Sequence, residues 1–227
     1  MAERKSVVID AVRSPIGVKR GIIAGNIRSD DLAAQVLSQL MDRNKGVSRD
    51  AVEDVVMGCA FPEGSQGMLI ARSAAVLAGI TIDSGAKVVN RFCGSSMDAI
   101  HQISQAIEAG DIDVGIGAGV EDMFSVPMGG FNPDFHPDLA EKDFYIGMGE
   151  TAELLAEDIG VSREDQDAFT ISSHEKALAA QSEGKLDSEV VPVTLDDGTT
   201  VEKDEGPMAP DAEKIHSLDP AFIENGT

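Results

Sequence analysis

Between residues 6 and 119 short apolar runs alternate with helical patterns, and that order leaves few ways to fold. Residues 6–11, 55–59, 87–91 and 113–118 read as strands. Residues 32–41 and 68–77 read as helices, the first with Asp30 and Asp31 at its dipole-positive start. A third helix is predicted over residues 95–109, with Met97, Ile100, Ile103 and Ile107 on one face. Strands separated by helices of about 10–15 residues indicate βαβ units and a mostly parallel sheet, so the predicted class is α/β. The last strand alternates Gly115, Gly117 and Gly119 with larger residues, which predicts a helix or backbone in close approach. No Gly-x-Gly-x-x-Gly opens a helix after it, so it does not read as a dinucleotide site.

Beyond residue 120 the pattern dissolves into a Pro/Gly-rich stretch to about residue 145 that includes Pro127, Gly129, Gly130, Pro133 and Pro137. A loop of that length is functional or a domain junction. Two helices follow, one over residues 148–158 ending at Gly160, the other opening at Ser162 and running to about residue 182. Asp165, three residues after Ser162, completes a capping-box-like start. Residues 189–194 and 199–203 flank Asp196-Asp197-Gly198, a strong hairpin signal. Residues 1–120 therefore read as a core domain and residues 121–227 as an α+β insertion carried by it.

Charge separates the same regions. Residues 1–100 hold 12 Lys and Arg against 11 Asp and Glu, whereas residues 101–227 hold 6 against 29. An acidic surface of this kind offers few basic groups for phosphate contacts, which argues against a nucleic-acid partner. It suits a strongly hydrated protein in a salt-rich, halophilic cytoplasm, with a plain solvated face as the alternative. No apolar run approaches the roughly 20 residues of a membrane span. Residues 1–5 lead at once into a strand-like run instead of an apolar leader, so the expectation is a cytoplasmic protein. Cys59 and Cys93 make no disulfide framework, in keeping with a reducing compartment. His101, His136, His174 and His216 show no ligand spacing, so no metal site is expected.

Chemistry concentrates at Asn90-Arg91-Phe92-Cys93-Gly94-Ser95-Ser96, where a strand gives way to a helix. The turn places the sulfur of Cys93 at a helix N-terminus, where unpaired N–H groups and the positive end of the dipole favour an anion. A cysteine so placed can have a lowered pKa, and its thiolate is a nucleophile. Gly94, Ser95 and Ser96 keep the approach open. The alternative is a buried cysteine acting as a small hydrophobe.

Taken in order, these segments resemble the thiolase family, and within it the degradative 3-ketoacyl-CoA branch. Arg13-Ser14-Pro15-Ile16-Gly17 is similar to the family's opening turn. Cys59-Ala60-Phe61-Pro62-Glu63-Gly64 with Gln66-Gly67 resembles the second-strand motif, and Asn90 to Ser96 resembles the nucleophile motif. Glu121-Asp122-Met123, Met148-Gly149-Glu150-Thr151-Ala152-Glu153, Ser162 to Phe169 and Ser173-His174 resemble later segments. The resemblance implies one βαβαβ half of the two-half family fold, with an inserted loop domain facing CoA.

It also implies an acyltransferase using CoA thioesters as substrates and no further cofactor. Cys93 would attack a 3-ketoacyl-CoA, release acetyl-CoA, and hold the shortened acyl group as a thioester for a second CoA. Met148 matches a position near the pantetheine arm and acyl pocket, with a core-facing helix-start methionine as the alternative. The family's second half supplies Asn-Glu-x-Phe/Ala, Gly-His-Pro and Cys-x-Gly motifs, none of which occurs here. His136 sits in Phe135-His136-Pro137 without the preceding glycine. His101 lies eight positions beyond Cys93 on the same predicted helix, about 12 Å along its axis. The resemblance therefore predicts an absent C-terminal core domain. It points to a homo-oligomer, or to a complex with a polypeptide carrying that half. The alternative is a non-catalytic fragment acting only as an assembly partner. A further departure is Asp204-Glu205-Gly206-Pro207-Met208, where the family carries an arginine that helps hold the CoA nucleotide.

Overall fold

The computed structural model describes residues 4–227, which group into two compact units. The first joins the described residues up to Asn132 with Asp187–Glu205, and the second joins Pro133–Leu186 with Gly206–Thr227.

Three parallel strands organise the first unit: β1 (Asp54–Gly58), β2 (Gly85–Val89) and β3 (Gly115–Gly119), in the order β2-β1-β3. Parallel neighbours need crossovers, supplied by α2 (Ile70–Leu77) between β1 and β2 and by α3 (Ser95–Ala109) between β2 and β3. This is the βαβαβ order and the α/β class that the periodicity predicts. The central strand is apolar throughout Val55-Val56-Met57 because both its faces are covered. Val55 and Met57 cluster with Leu37 and Met41 of α1 (Ser29–Arg43) and with Ala71 and Ala74 of α2. Val56 clusters with Ala99 and Ile103 of α3 on the opposite face. Each Val, Leu, Ile or Met so buried contributes about 1.5–3 kcal/mol by leaving water.

Glycine spacing sets how closely α3 can lie. A Cβ added at Gly117 would sit 2.7 Å from Ile100 Cα, and one at Gly115 would sit 2.8 Å from Ile103 Cδ1. At Gly119 it would collide with Ser96 Oγ, and at Gly58 with the backbone of Ser95 and Ser96. The helix therefore rests on strand backbone, as the glycine alternation predicts.

Two expectations are corrected in this unit. Residues 6–11 form no strand, and Val7, Val8 and Ile9 are 78%, 80% and 67% exposed. Side chains hold this segment instead: Ser6 Oγ lies 2.6 Å from Ser104 Oγ of α3, and Asp10 accepts from Arg43 and Asn44 at the end of α1. The domain division is also displaced. The core unit continues past residue 120 to Asn132 and takes back Asp187–Glu205.

The reason for the second correction is packing. The hairpin of β4 (Val193–Thr194) and β5 (Thr200–Val201) buries Val193, Leu195 and Val201 with Ile23 and Ile27. Arg13 N donates to Glu189 O and Val191 N to Arg13 O, while Gln35 pairs with both backbone groups of Thr194. Asp204 and Glu205 complete the attachment. Asp204 takes two bonds from the Arg13 guanidinium, at 2.6 and 3.0 Å, and one from Ile16 N. Glu205 accepts from the N–H groups of Val18, Ile22 and Ile23, so these acids hold the opening turn in place.

The second unit is helical, with α4 (Pro137–Ala140), α5 (Met148–Ile159), α6 (Arg163–Ser182) and α7 (Ala212–His216). Glu150 accepts from Gly147 N at the start of α5, and Gly160 ends that helix with a φ of 73°. Ser162 and Asp165 form the expected reciprocal cap on α6. Asp167 is buried, accepts from Arg163 at 2.8 Å and lies 2.7 Å from His216 Nδ1; Arg163 also donates to Ile215 O and Leu218 O. No helix among the described residues is long and apolar enough to cross a membrane.

Candidate active site

Parallel sheets present their loops for chemistry at the carboxyl ends of the strands. Here the segments following β1, β2 and β3 are those starting at Cys59, Asn90 and Val120. The middle segment carries Cys93, two residues before α3 begins. Cys93 is exposed and Cys59 is buried.

The turn at Cys93 is built from side-chain bonds to its own backbone. Asn90 Nδ2 donates to Ala60 O at 2.8 Å, while Asn90 Oδ1 accepts from Phe92 N at 2.9 Å. The buried hydroxyl of Ser95 accepts from Arg91 N at 2.8 Å and donates to Phe92 O at 2.6 Å. These bonds hold Phe92 at a φ of 45°, a left-handed conformation that costs a non-glycine residue about 1–3 kcal/mol. A backbone in that conformation, locked from both sides, turns the next side chain away from the sheet. Gly58 and Gly119 then fix the level of the first turn of α3 by letting its backbone settle on the strands. The Phe92 ring stands 6.0 Å from that of Phe61.

The segments after β1 and β3 are joined through Glu121. Its carboxylate accepts from Ala60 N at 2.6 Å, Phe61 N at 3.3 Å and Gln66 Nε2 at 3.0 Å. Gln66, fully buried, also donates to Phe61 O and accepts from Asp122 N. The Cys59 thiol donates to Glu121 at 3.9 Å. Burial first, then the charge of Glu121, push the Cys59 thiol up to about 12. Cys59 is therefore held as a neutral thiol, and Cys93 is the exposed cysteine of the two.

Other candidates fall into place as follows. Met148 is the first residue of α5, exposed, in the second unit. His101 lies along α3 beyond Cys93, on the helix the sequence predicts. His136 caps α4 by accepting from Asp138 N, His174 accepts from Met208 N, and His216 pairs with Asp167. Among the described residues no three His, Cys, Asp or Glu side chains group as metal ligands. The roles of Ser95, Gln66 and Glu121 escaped the sequence reading. All three stand inside quoted motifs, but only the fold shows what their polar atoms bind.

A family model described as the N-terminal domain of thiolase matches residues 6–227. The chain is 43% identical over 189 residues to the 3-ketoacyl-CoA thiolase of Shewanella frigidimarina, covering 82% of this chain and 49% of that relative. It is also 43% identical over 187 residues to the 3-ketoacyl-CoA thiolase of Aeromonas salmonicida, covering 82% of this chain and 48% of that one. The chain thus spans about half the length of the curated relatives it matches. With its parallel βαβαβ core and its cysteine on the turn into α3, the chain belongs to the thiolase family, of which it carries the N-terminal domain.

Proposed function

We propose that the protein carries the N-terminal half of a degradative thiolase, with Cys93 as the nucleophile that carries the acyl group. The observation behind this reading is the contrast between the two cysteines: Cys93 exposed on a locked turn, Cys59 buried and protonated. In the forward direction the Cys93 sulfur, having given up its proton, adds to the C3 carbonyl of a 3-ketoacyl-CoA. The C2–C3 bond then breaks, its electron pair leaves with C2 and takes a proton, and acetyl-CoA departs. The shortened acyl group stays on Cys93 as a thioester. A second CoA thiol adds to that thioester, Cys93 leaves with the electron pair of its C–S bond, and the new acyl-CoA is released. Sulfur suits both steps, being a strong nucleophile and a good leaving group. The first turn of α3 presents backbone N–H groups toward negative charge developing beside it.

The acid and base for these steps are assigned to the part of the relatives' length that lies beyond the matched half. Met148 is assigned to the pantetheine arm of CoA. Thiolysis of a 3-ketoacyl-CoA in molar KCl tests the reading, with the chain supplied with the remaining half of the Shewanella frigidimarina enzyme. Turnover that falls below about a tenth in Cys93→Ala is expected, given that nucleophile removal is among the costliest enzyme changes. Retention above that level overturns the role of Cys93. A second reading, an assembly partner without chemistry, is favoured by the half-length match to the relatives. It predicts association with the other half and no Cys93-dependent turnover.

A further inference from the structure

Ala60, the second residue beyond β1, is gripped from two directions. Its N–H donates to a Glu121 carboxylate oxygen at 2.6 Å, and its carbonyl accepts from Asn90 Nδ2 at 2.8 Å. Asn90 also accepts the N–H of Phe92 on its Oδ1 at 2.9 Å, and Phe92 is the residue before Cys93. A continuous line of hydrogen bonds therefore runs from Glu121, after β3, through Ala60, after β1, to the Cys93 turn, after β2. The side-chain bonds of Ser95, by contrast, close within the turn itself, on Arg91 and Phe92. They shape the turn without fixing where it stands against its neighbours.

Glu121 is suited to be the fixed end of this line. Its carboxylate accepts from the N–H groups of Ala60 and Phe61, from Gln66 Nε2 and from the Cys59 thiol. Gln66 is fully buried, and its own oxygen accepts from Asp122 N, so the residue after Glu121 is anchored to the same side chain. A carboxylate can accept from all these donors. An amide in its place has one oxygen, and its NH2 would meet a donor whichever way it turned. At the other end of the line lies the strained residue. Phe92 holds a φ of 45°, which a non-glycine residue keeps only where its surroundings over-determine it.

We propose that Glu121 is a positioning residue for Cys93, setting the sulfur at the start of α3 through Ala60 and Asn90. It acts through these residues and not on the substrate. When Glu121 lets go, Ala60 retreats from Asn90 and Phe92 relaxes from the left-handed region. The sulfur then leaves the N–H groups that favour a thiolate. The use of this placement in acyl transfer rests on the reading of Cys93 as the nucleophile; the placement itself does not.

The test is the rate at which iodoacetamide alkylates Cys93 in the full chain, followed by peptide mass spectrometry, with buried Cys59 as the internal control. The thiolate is the reacting form; its sulfur bonds to the CH2 carbon and iodide leaves. Glu121→Gln and Asn90→Ala are made singly and together. Both residues are exposed, so the variants are expected to fold, which circular dichroism checks. Each single variant is expected to slow alkylation at least about threefold, and the double variant to be no slower than the slower single, since both cut one line. Removing the negative charge of Glu121 would by itself favour the thiolate and speed the reaction, so slowing does not come from charge. Phe92→Gly separates positioning from mere stability. Glycine takes a positive φ as readily as a negative one, so in that background the bonds of Ser95 suffice. There Glu121→Gln is expected to change the rate by less than about 1.5-fold.

An unchanged or faster rate in Glu121→Gln, losses that multiply in the double variant, or an equal loss in the Phe92→Gly background overturns the proposal. If Glu121→Gln does not fold, Asn90→Ala with and without Phe92→Gly makes the same comparison, and an equal loss in both backgrounds overturns it. Acetyl transfer from acetyl-CoA keeps the two readings apart. The expected alkylation pattern without acetylation of Cys93 upholds the positioning role and removes the thiolase chemistry. Acetylation without that pattern removes the positioning role alone.

Discussion

The two units solve the problem of burial differently. In the first, Val55, Val56 and Met57 lie at the centre of a three-layer core, and even the polar Gln66 is fully buried. In the second, Ala156 is the one apolar residue among that unit's described residues that is buried, while Phe135, Phe144, Leu154, Leu155, Phe169 and Phe222 stand exposed. The second unit also holds much of the acid excess found in residues 101–227. Its helices are held largely by polar devices: the Ser162–Asp165 cap, and the Arg163–Asp167–His216 cluster that ties α7 to α6. The first unit is thus specified by shape and the second by caps and charge. Mutations and salt should affect the two unequally.

The largest expected effect is in the shape-specified unit. Gly117→Val would drive a branched side chain into Ile100 of α3, and a loss of about 3 kcal/mol or more is expected in urea unfolding. Tolerance within about 0.5 kcal/mol would show that α3 does not rest on that strand.

Asp204→Asn comes next. Losing a charged partner of Arg13 is expected to cost about 1.5–3 kcal/mol, read by the same unfolding curve for the first unit. Its pH dependence sharpens the comparison. The Arg13 guanidinium holds the Asp204 carboxyl below the usual carboxylate range. Such a group stabilises fully at pH above its unfolded value of about 3.9, and that contribution is lost as pH falls through the lower folded value. Wild type should therefore lose stability below about pH 4 more steeply than Asp204→Asn. Parallel curves would remove this ion pair from the account of acid sensitivity.

Salt should act mainly on the charge-specified unit. Self-repulsion among its acids is screened as the Debye length falls from about 30 Å at 0.01 M to about 3 Å at 1 M. A melting temperature that rises with KCl is expected, by more for probes in the second unit. A flat or falling trend would contradict the halophilic reading. The smallest effect is expected at Phe169→Ser, where an exposed ring is lost from α6. A change within about 0.5 kcal/mol is expected; a loss above about 2 kcal/mol would show that α6 has a hidden apolar partner.

Local patterns were legible in the sequence, whereas long-range ones were not. The bounds of α3, the close approach at Gly115, Gly117 and Gly119, the Ser162 cap and the turn at Gly198 follow from neighbours a few residues apart. Residues 6–11 form no strand although their run of Val and Ile signals one, because that signal is the same whether or not a neighbour exists. The return of Asp187–Glu205 to the core unit depends on Arg13 finding Asp204, and on Ile23 and Ile27 finding Val193. Nothing local announces either contact. At the site, the motif marked Cys93 but not how its turn is held. Ser95 bonding both Arg91 and Phe92, and Glu121 joining the segments after β1 and β3, are properties of the folded chain.

The most direct test is to incubate the protein, with the remaining half of the Shewanella frigidimarina enzyme, with acetyl-CoA, and then locate the acyl group by peptide mass spectrometry. Transfer from the CoA sulfur to a cysteine sulfur releases free CoA and leaves a protein thioester. An acetyl group on Cys93 and none on Cys59, lost in Cys93→Ala, is the expected result. An acetyl group on Cys59, or acylation that persists in Cys93→Ala, would contradict the assignment of Cys93 as the acyl carrier.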